Sequence, residues 1–136
     1  MPIIAPWISV EPSTNPAAIL GPLPLTQTTV VYPIPPDVVP PTATGIMVFA
    51  WYAIDGVIPK IGWWHFGVNT ANGTQNWFSL IVAGANGGNA VAASTSQVFW
   101  LPMPVDGNLE VTFFNGELPP PGQCQSGVEI HGYYPG

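Results

Sequence analysis

The chain has 136 residues, a length that one compact domain accounts for, since single domains run ~100–200 residues. It carries one Lys or Arg against seven Asp and Glu, a formal net charge of −6, and its 6% of charged residues compares with about a quarter in an ordinary domain. With Lys60 as the one Lys or Arg side chain, nucleic-acid binding and docking on an anionic membrane are excluded, because both depend on clustered Lys and Arg.

Residues 1–25 read as an extended N-terminal arm. Eleven of the 18 prolines fall within residues 1–41, and a helix interior tolerates none of them. The arm is nonetheless apolar (Trp7, Ile8, Val10, Ile19, Leu20, Leu23, Leu25), unlike a polar disordered linker, so it is expected to pack on its own domain or on a neighbouring subunit. The first residues have no positive n-region and no unbroken apolar run, so no signal peptide is expected. Residues 26–136 read as a β-domain. β-Branched and aromatic runs predict strands at about 26–32, 45–54, 60–68, 75–83, 96–101, 109–114 and 128–134, with no helix. Turn chemistry separates them: Asp55-Gly56, Asn72-Gly73, Asn86-Gly87-Gly88-Asn89, Asp106-Gly107 and Asn115-Gly116. The longest apolar run, from Gly45 to Ile54, falls short of the ~18 residues of a spanning helix, so no membrane insertion is expected. The predicted fold is all-β, an antiparallel β-sandwich of jelly-roll-like type with a Pro-rich arm.

Period-two alternation is informative where it fails. One face of the strand after Gly45 reads Ile46, Val48, Ala50, Tyr52, Ile54, and the other reads Met47, Phe49, Trp51, Ala53. Both faces call for burial. In a chain of this size a second covering layer is most simply another subunit, so Trp7, Met47, Phe49, Trp51 and Tyr133 are expected at an oligomer interface. The uncharged composition, the apolar arm and these two-sided strands together point to a non-catalytic, self-assembling structural protein, without a cofactor and with itself as principal partner. Virion decoration, capsid and fibre components have this character, with residence in a virion or an extracellular surface assembly.

The closing stretch Gly127-Val128-Glu129-Ile130-His131-Gly132-Tyr133-Tyr134-Pro135 resembles the last strand of the trimeric jelly-roll heads of the complement-globular-head and tumour-necrosis-factor-like group. That resemblance implies a ten-strand jelly roll, a homotrimer whose threefold axis is lined by aromatics, and a recognition or scaffold role. The chain departs from the group in carrying a Pro-rich arm where a Gly-X-Y stem would stand. Jelly-roll viral structural proteins share the architecture.

A second functional class is carbohydrate binding. Trp63 and His65, followed by Asn72, Asn76 and Trp77, combine aromatic faces with uncharged amides, the pairing that a sugar requires. The plainer alternative is that these tryptophans are core and interface packing. Trp63 and Trp64 must point to opposite faces of a strand, with His65 on the side of Trp63. No metal is expected. His65, His131 and Cys124 have no ligand spacing, although a threefold axis would bring one His131 per subunit together. Cys124 has no cationic neighbour in sequence to activate it, and Asp106 and Glu110, four residues apart, are the only carboxylates close in sequence within a predicted hairpin. Lys60 reads as a solvated strand end, and Asn72-Gly73-Thr74 as a turn although it matches a glycosylation sequon.

Overall fold

The computed structural model describes residues 6–55, 62–71, 75–82, 92–114 and 124–136, with backbone alone at 55, 62, 75–82, 92 and 93. Among these described residues nine strands follow in chain order: β1 (Ile8–Ser9), β2 (Ile19–Gly21), β3 (Val30–Pro33), β4 (Gly45–Asp55), β5 (Gly62–Asn69), β6 (Gln75–Val82), β7 (Ala92–Pro102), β8 (Asn108–Phe114) and β9 (Cys124–Tyr134). A single 3₁₀ turn, Pro16–Ala18, precedes β2, with Pro supplying a fixed φ at its start. Among the described residues there is no α-helix.

The strands form two antiparallel sheets. One has five strands in the order β1-β9-β4-β7 with β2 also on β9, and the other has the order β3-β8-β5-β6. The pairing is nested: β2 lies on β9, β3 on β8, β4 on β7 and β5 on β6. The chain is thus one long antiparallel ribbon, closed at the β5–β6 end and rolled so that β4 meets β9 and β5 meets β8. This is the antiparallel β-sandwich expected from the sequence.

The core lies between the sheets. Ile46, Val48, Ala50, Tyr52 and Ile54 of β4 with Val128 and Ile130 of β9 face Trp64, Phe66 and Val68 of β5 with Leu109, Val111 and Phe113 of β8, and all are buried. No polar or charged side chain is buried among the described residues, and none of their buried side-chain N or O atoms lacks a partner.

The described part of the arm belongs to this core. Ile8 pairs with Tyr133 and Ile19 with Glu129, so the arm supplies two short edge strands to its own chain, where Pro is tolerated at their flanks. Beyond β2 the segment from Gly21 to Leu25 crosses from one sheet to the other, and Leu23 is 2% exposed. Three side chains hold it. Ser126 Oγ of β9 accepts from the Leu23 N–H at 2.9 Å, Tyr32 of β3 donates its hydroxyl to the Pro22 carbonyl, and Trp64 Nε1 of β5 donates to the Pro24 carbonyl at 2.9 Å. Gly21 begins the crossing with φ +149°, and a Cβ there would stand 3.3 Å from the Tyr32 ring. Only glycine adopts that backbone without strain.

Burial pushes the Tyr32 phenol up from 10.0 to about 12. Its folded pKa is raised, so the contribution is complete below about pH 10 and is lost as pH rises to about 12, where the unfolded phenol ionises first. The expected loss is up to about 2 kcal/mol, read as a fall in the urea midpoint over that window. Tyr32→Phe is expected to be less stable at neutral pH by about 1 kcal/mol, through the lost hydrogen bond, and to show a shallower alkaline fall. An identical alkaline profile in the two proteins refutes this role.

Candidate functional site

The outer face of the five-stranded sheet is aromatic from edge to edge. β4 alternates Met47, Phe49 and Trp51 outward against its buried set. β9 lies beside it and carries one extra residue: Met47 pairs with Gly132 and Val48 with Ile130, leaving His131 as a bulge. A bulge re-aims side chains. Here it lets Glu129, His131 and Gly132 all serve the outer face while Tyr133 returns to the inner side, opposite Ile46.

Two glycines of β9 act as seats for indoles. A Cβ on Gly132 would lie 2.6 Å from the Trp7 ring and 2.9 Å from the Ile8 carbonyl, and a Cβ on Gly127 would lie 2.3 Å from Trp51 Nε1. Each tryptophan therefore occupies space above bare backbone that a side chain would fill, a contact that any other residue at those positions blocks. Trp7 continues edge-on to Trp100 of β7, with centroids 5.8 Å apart, and Trp100 packs on Tyr134 at 4.6 Å. Beneath these rings Met47 is only 9% exposed. Trp7, Val98, Trp100 and Tyr134 nevertheless remain 38–47% exposed, so the rings form a surface. Phe49 stacks on His131 at 4.7 Å with planes 17° apart, and His131 Nε2 is 3.0 Å from Glu129 Oε1. The other Glu129 oxygen lies 3.4 Å from Trp51 Nε1.

The structure thus brings Trp7, Met47, Phe49 and Trp51 onto one face, while Tyr133 stands on the opposite side of the same sheet, packed against the core. Val98, Trp100, Tyr134 and the two glycine seats were not among the expected residues. Their membership depends on which strands pair, which no single strand pattern reveals.

The other outer face, on the four-stranded sheet, holds Trp63 and His65. Both are half-buried, and both contact exposed Phe114 of β8: Trp63 at 6.1 Å, tilted, and His65 edge-on at 5.6 Å. Trp64, as alternation requires, is fully buried. Trp77 takes the register position opposite Gly67 and Asn76 that opposite the buried Val68, so the two alternate along β6. Asn72 and Lys60 lie outside the described residues.

No family model and no curated protein matches the chain. Its chemistry must be read from the site itself. Among the described residues no three His, Cys, Asp or Glu side chains gather as metal ligands. His131 is engaged by Glu129. Asp106 and Glu110 converge on one amide: Asn69 Nδ2 donates to Asp106 Oδ2 at 3.2 Å and to Glu110 Oε2 at 2.8 Å, and Asp106 Oδ1 accepts the Asn108 N–H. That arrangement fixes the β7–β8 turn against the end of β5. Cys124 borders an open cleft of about 770 Å³ walled by Leu20, Pro22, Leu25, Val30, Tyr32 and Trp51, and burial pushes its thiol pKa upward, away from the thiolate.

Proposed function

We propose that this chain is a non-catalytic, self-assembling structural protein whose subunits meet through the outer face of the five-stranded sheet. The carrying observation is the continuous aromatic surface of Trp7, Phe49, Trp100 and Tyr134, with Val98 beside it. A monomer in water gains nothing by leaving Trp7, Val98, Trp100 and Tyr134 38–47% exposed on one sheet, whereas apolar side chains in a contiguous patch are the ordinary content of a subunit interface. A homotrimer is the preferred stoichiometry, because the closing strand resembles that of trimeric jelly-roll heads and the nested winding agrees with the jelly roll which that resemblance implies. Decoration, capsid or fibre components of virions and other extracellular surface assemblies are the class of object intended.

A second reading, a lectin, is favoured by one observation: Trp63, His65 and Phe114 make an aromatic platform on the opposite face. The same experiment separates the two. Light scattering of the purified chain over a dilution series is expected to give a mass near three times 14.4 kDa, and Trp100→Ser, at a 40%-exposed position, is expected to shift it to the single-chain mass without unfolding. A single-chain mass at every concentration overturns the assembly reading. Glycan binding that is lost in Trp63→Ala would then carry the second one.

A further inference from the structure

The aromatic face has one described carboxylate, Glu129, and one imidazole, His131, held together at 3.0 Å. Resting on the reading of this face as the subunit interface, we infer that assembly is driven by protonation of His131.

Among the described residues Glu129 has no other charged partner. Against the pair, β4 presents Met47, Phe49 and Trp51, β1 places Ser9 opposite Gly132, and Ile19 of β2 stands opposite Glu129, and none of these titrates. The Tyr133 and Tyr134 phenols end the same strand. Of the other acids of the flanking strands and loops, Glu11 is exposed beyond β1 and Asp55 stands at the far end of β4.

At 20% and 30% exposure Glu129 and His131 are still partly hydrated in the single chain, and a second subunit laid on the face removes that water. With His131 neutral, the contact buries a net negative charge with only hydrogen bonds to compensate it, which is costly. With His131 protonated, it buries a charge-neutral, hydrogen-bonded ion pair whose cation also stacks on Phe49. Association therefore takes up a proton. Imidazole is the side-chain type that ordinarily changes charge between pH 5 and 8, and the test spans that range. Linkage sets its ceiling at roughly a tenfold gain in association per pH unit for each subunit that takes up a proton. A chain with net charge −6 also associates more readily in acid for general reasons, so the pair must be tested by substitution.

The experiment is sedimentation equilibrium of the full chain at about pH 8 and about pH 5.5, for wild type, Glu129→Gln and His131→Gln, with a thermal melt of each to verify folding. The wild type is expected to associate at least tenfold more tightly in acid. Glu129→Gln is expected to gain at the alkaline end and to lose the acid enhancement, since its protonated His131 has no counter-charge. His131→Gln is expected to stay weak at both. Wild-type assembly of equal strength at both pH values, or an unchanged acid response in both folded variants, overturns proton-driven assembly and leaves the interface reading standing. A wild type that stays a single chain at both pH values overturns the two together.

Discussion

Deleting residues 1–25 is expected to leave a chain without a cooperative unfolding transition. The Pro-rich arm, expected from its apolar residues to pack on its own domain or on a neighbour, fills part of the core of its own chain and closes the gap between the sheets. Removal takes away Leu23, 2% exposed, and Ala18, 0% exposed. A buried Leu alone is worth about 2–5 kcal/mol on truncation. It also strips β9 of both its edge partners. Finally it leaves the Trp64 indole N–H, buried and paired only with the Pro24 carbonyl, without an acceptor, at about 1–3 kcal/mol. These losses together rival the ~5–15 kcal/mol that holds a typical domain folded. Circular dichroism through a urea titration reads the outcome. A truncated chain that unfolds cooperatively at the wild-type midpoint would show that the arm is an appendage. Loss of folding also sets a limit on assembly experiments: an arm deletion that abolishes oligomers does so by unfolding the subunit, so the interface is better probed at exposed Trp100.

Much of the fold follows from local pattern. β4, β5, β6 and β8 start and stop within two residues of where alternation and Asx-Gly turns place them, because each is a long run of β-branched or aromatic residues. The misses have physical reasons. β7 begins at Ala92 and β9 at Cys124, four residues earlier than the patterns suggest, since these added residues are mostly small or polar ones such as Ala and Gly with little strand preference of their own and are recruited by ladders to Asp55 and Ile54 of β4. β3 is shorter, starting at Val30, because residues 25–28 bend out of the crossing before the ladder to β8 begins. β1 and β2 are invisible in sequence: two or three residues between prolines become strands only because β9 offers a free edge.

The candidate site was legible only where it lay on one strand. Alternation alone places Met47, Phe49 and Trp51 together and sets Trp63 with His65 against Trp64. The seats under Trp7 and Trp51 were not legible. Gly127 and Gly132 look like strand weaknesses, and their use appears only when register sets Gly127 opposite Trp51 and the β1 pairing brings Trp7 over Gly132. Tyr133 is expected from the sequence at the oligomer interface with Met47, Phe49 and Trp51, but the His131 bulge shifts the alternation by one and turns it inward, away from their face. A bulge leaves no mark in hydrophobic periodicity, so any residue beyond it is misassigned by counting.

Trp64→Ala is expected to be the most damaging single substitution at a described position. The ring is fully buried at the centre of β5, 5.5 Å from Tyr52 of the facing sheet and 5.3 Å from Phe113 of the neighbouring strand, so truncation empties a large volume that β-sheet backbone on both sides cannot collapse to fill. Cavity and transfer terms for a buried aromatic give about 3–5 kcal/mol. The indole N–H adds a second role, because it is one of three side-chain contacts that pin the crossing segment from Gly21 to Leu25. Trp64→Phe separates the two. It keeps most of the packing, deletes the bond to the Pro24 carbonyl and leaves that acceptor unpaired, so a loss of about 1–3 kcal/mol is expected. If the bond fixes the crossing, Trp64→Phe also raises amide exchange selectively at Leu23 and Leu25, while the β4–β9 ladder stays protected. A Trp64→Phe protein that loses stability with uniform protection would assign the residue to packing alone. Wild-type stability in Trp64→Ala, measured by urea titration, would mean that the crossing and the core are held together by something other than this side chain.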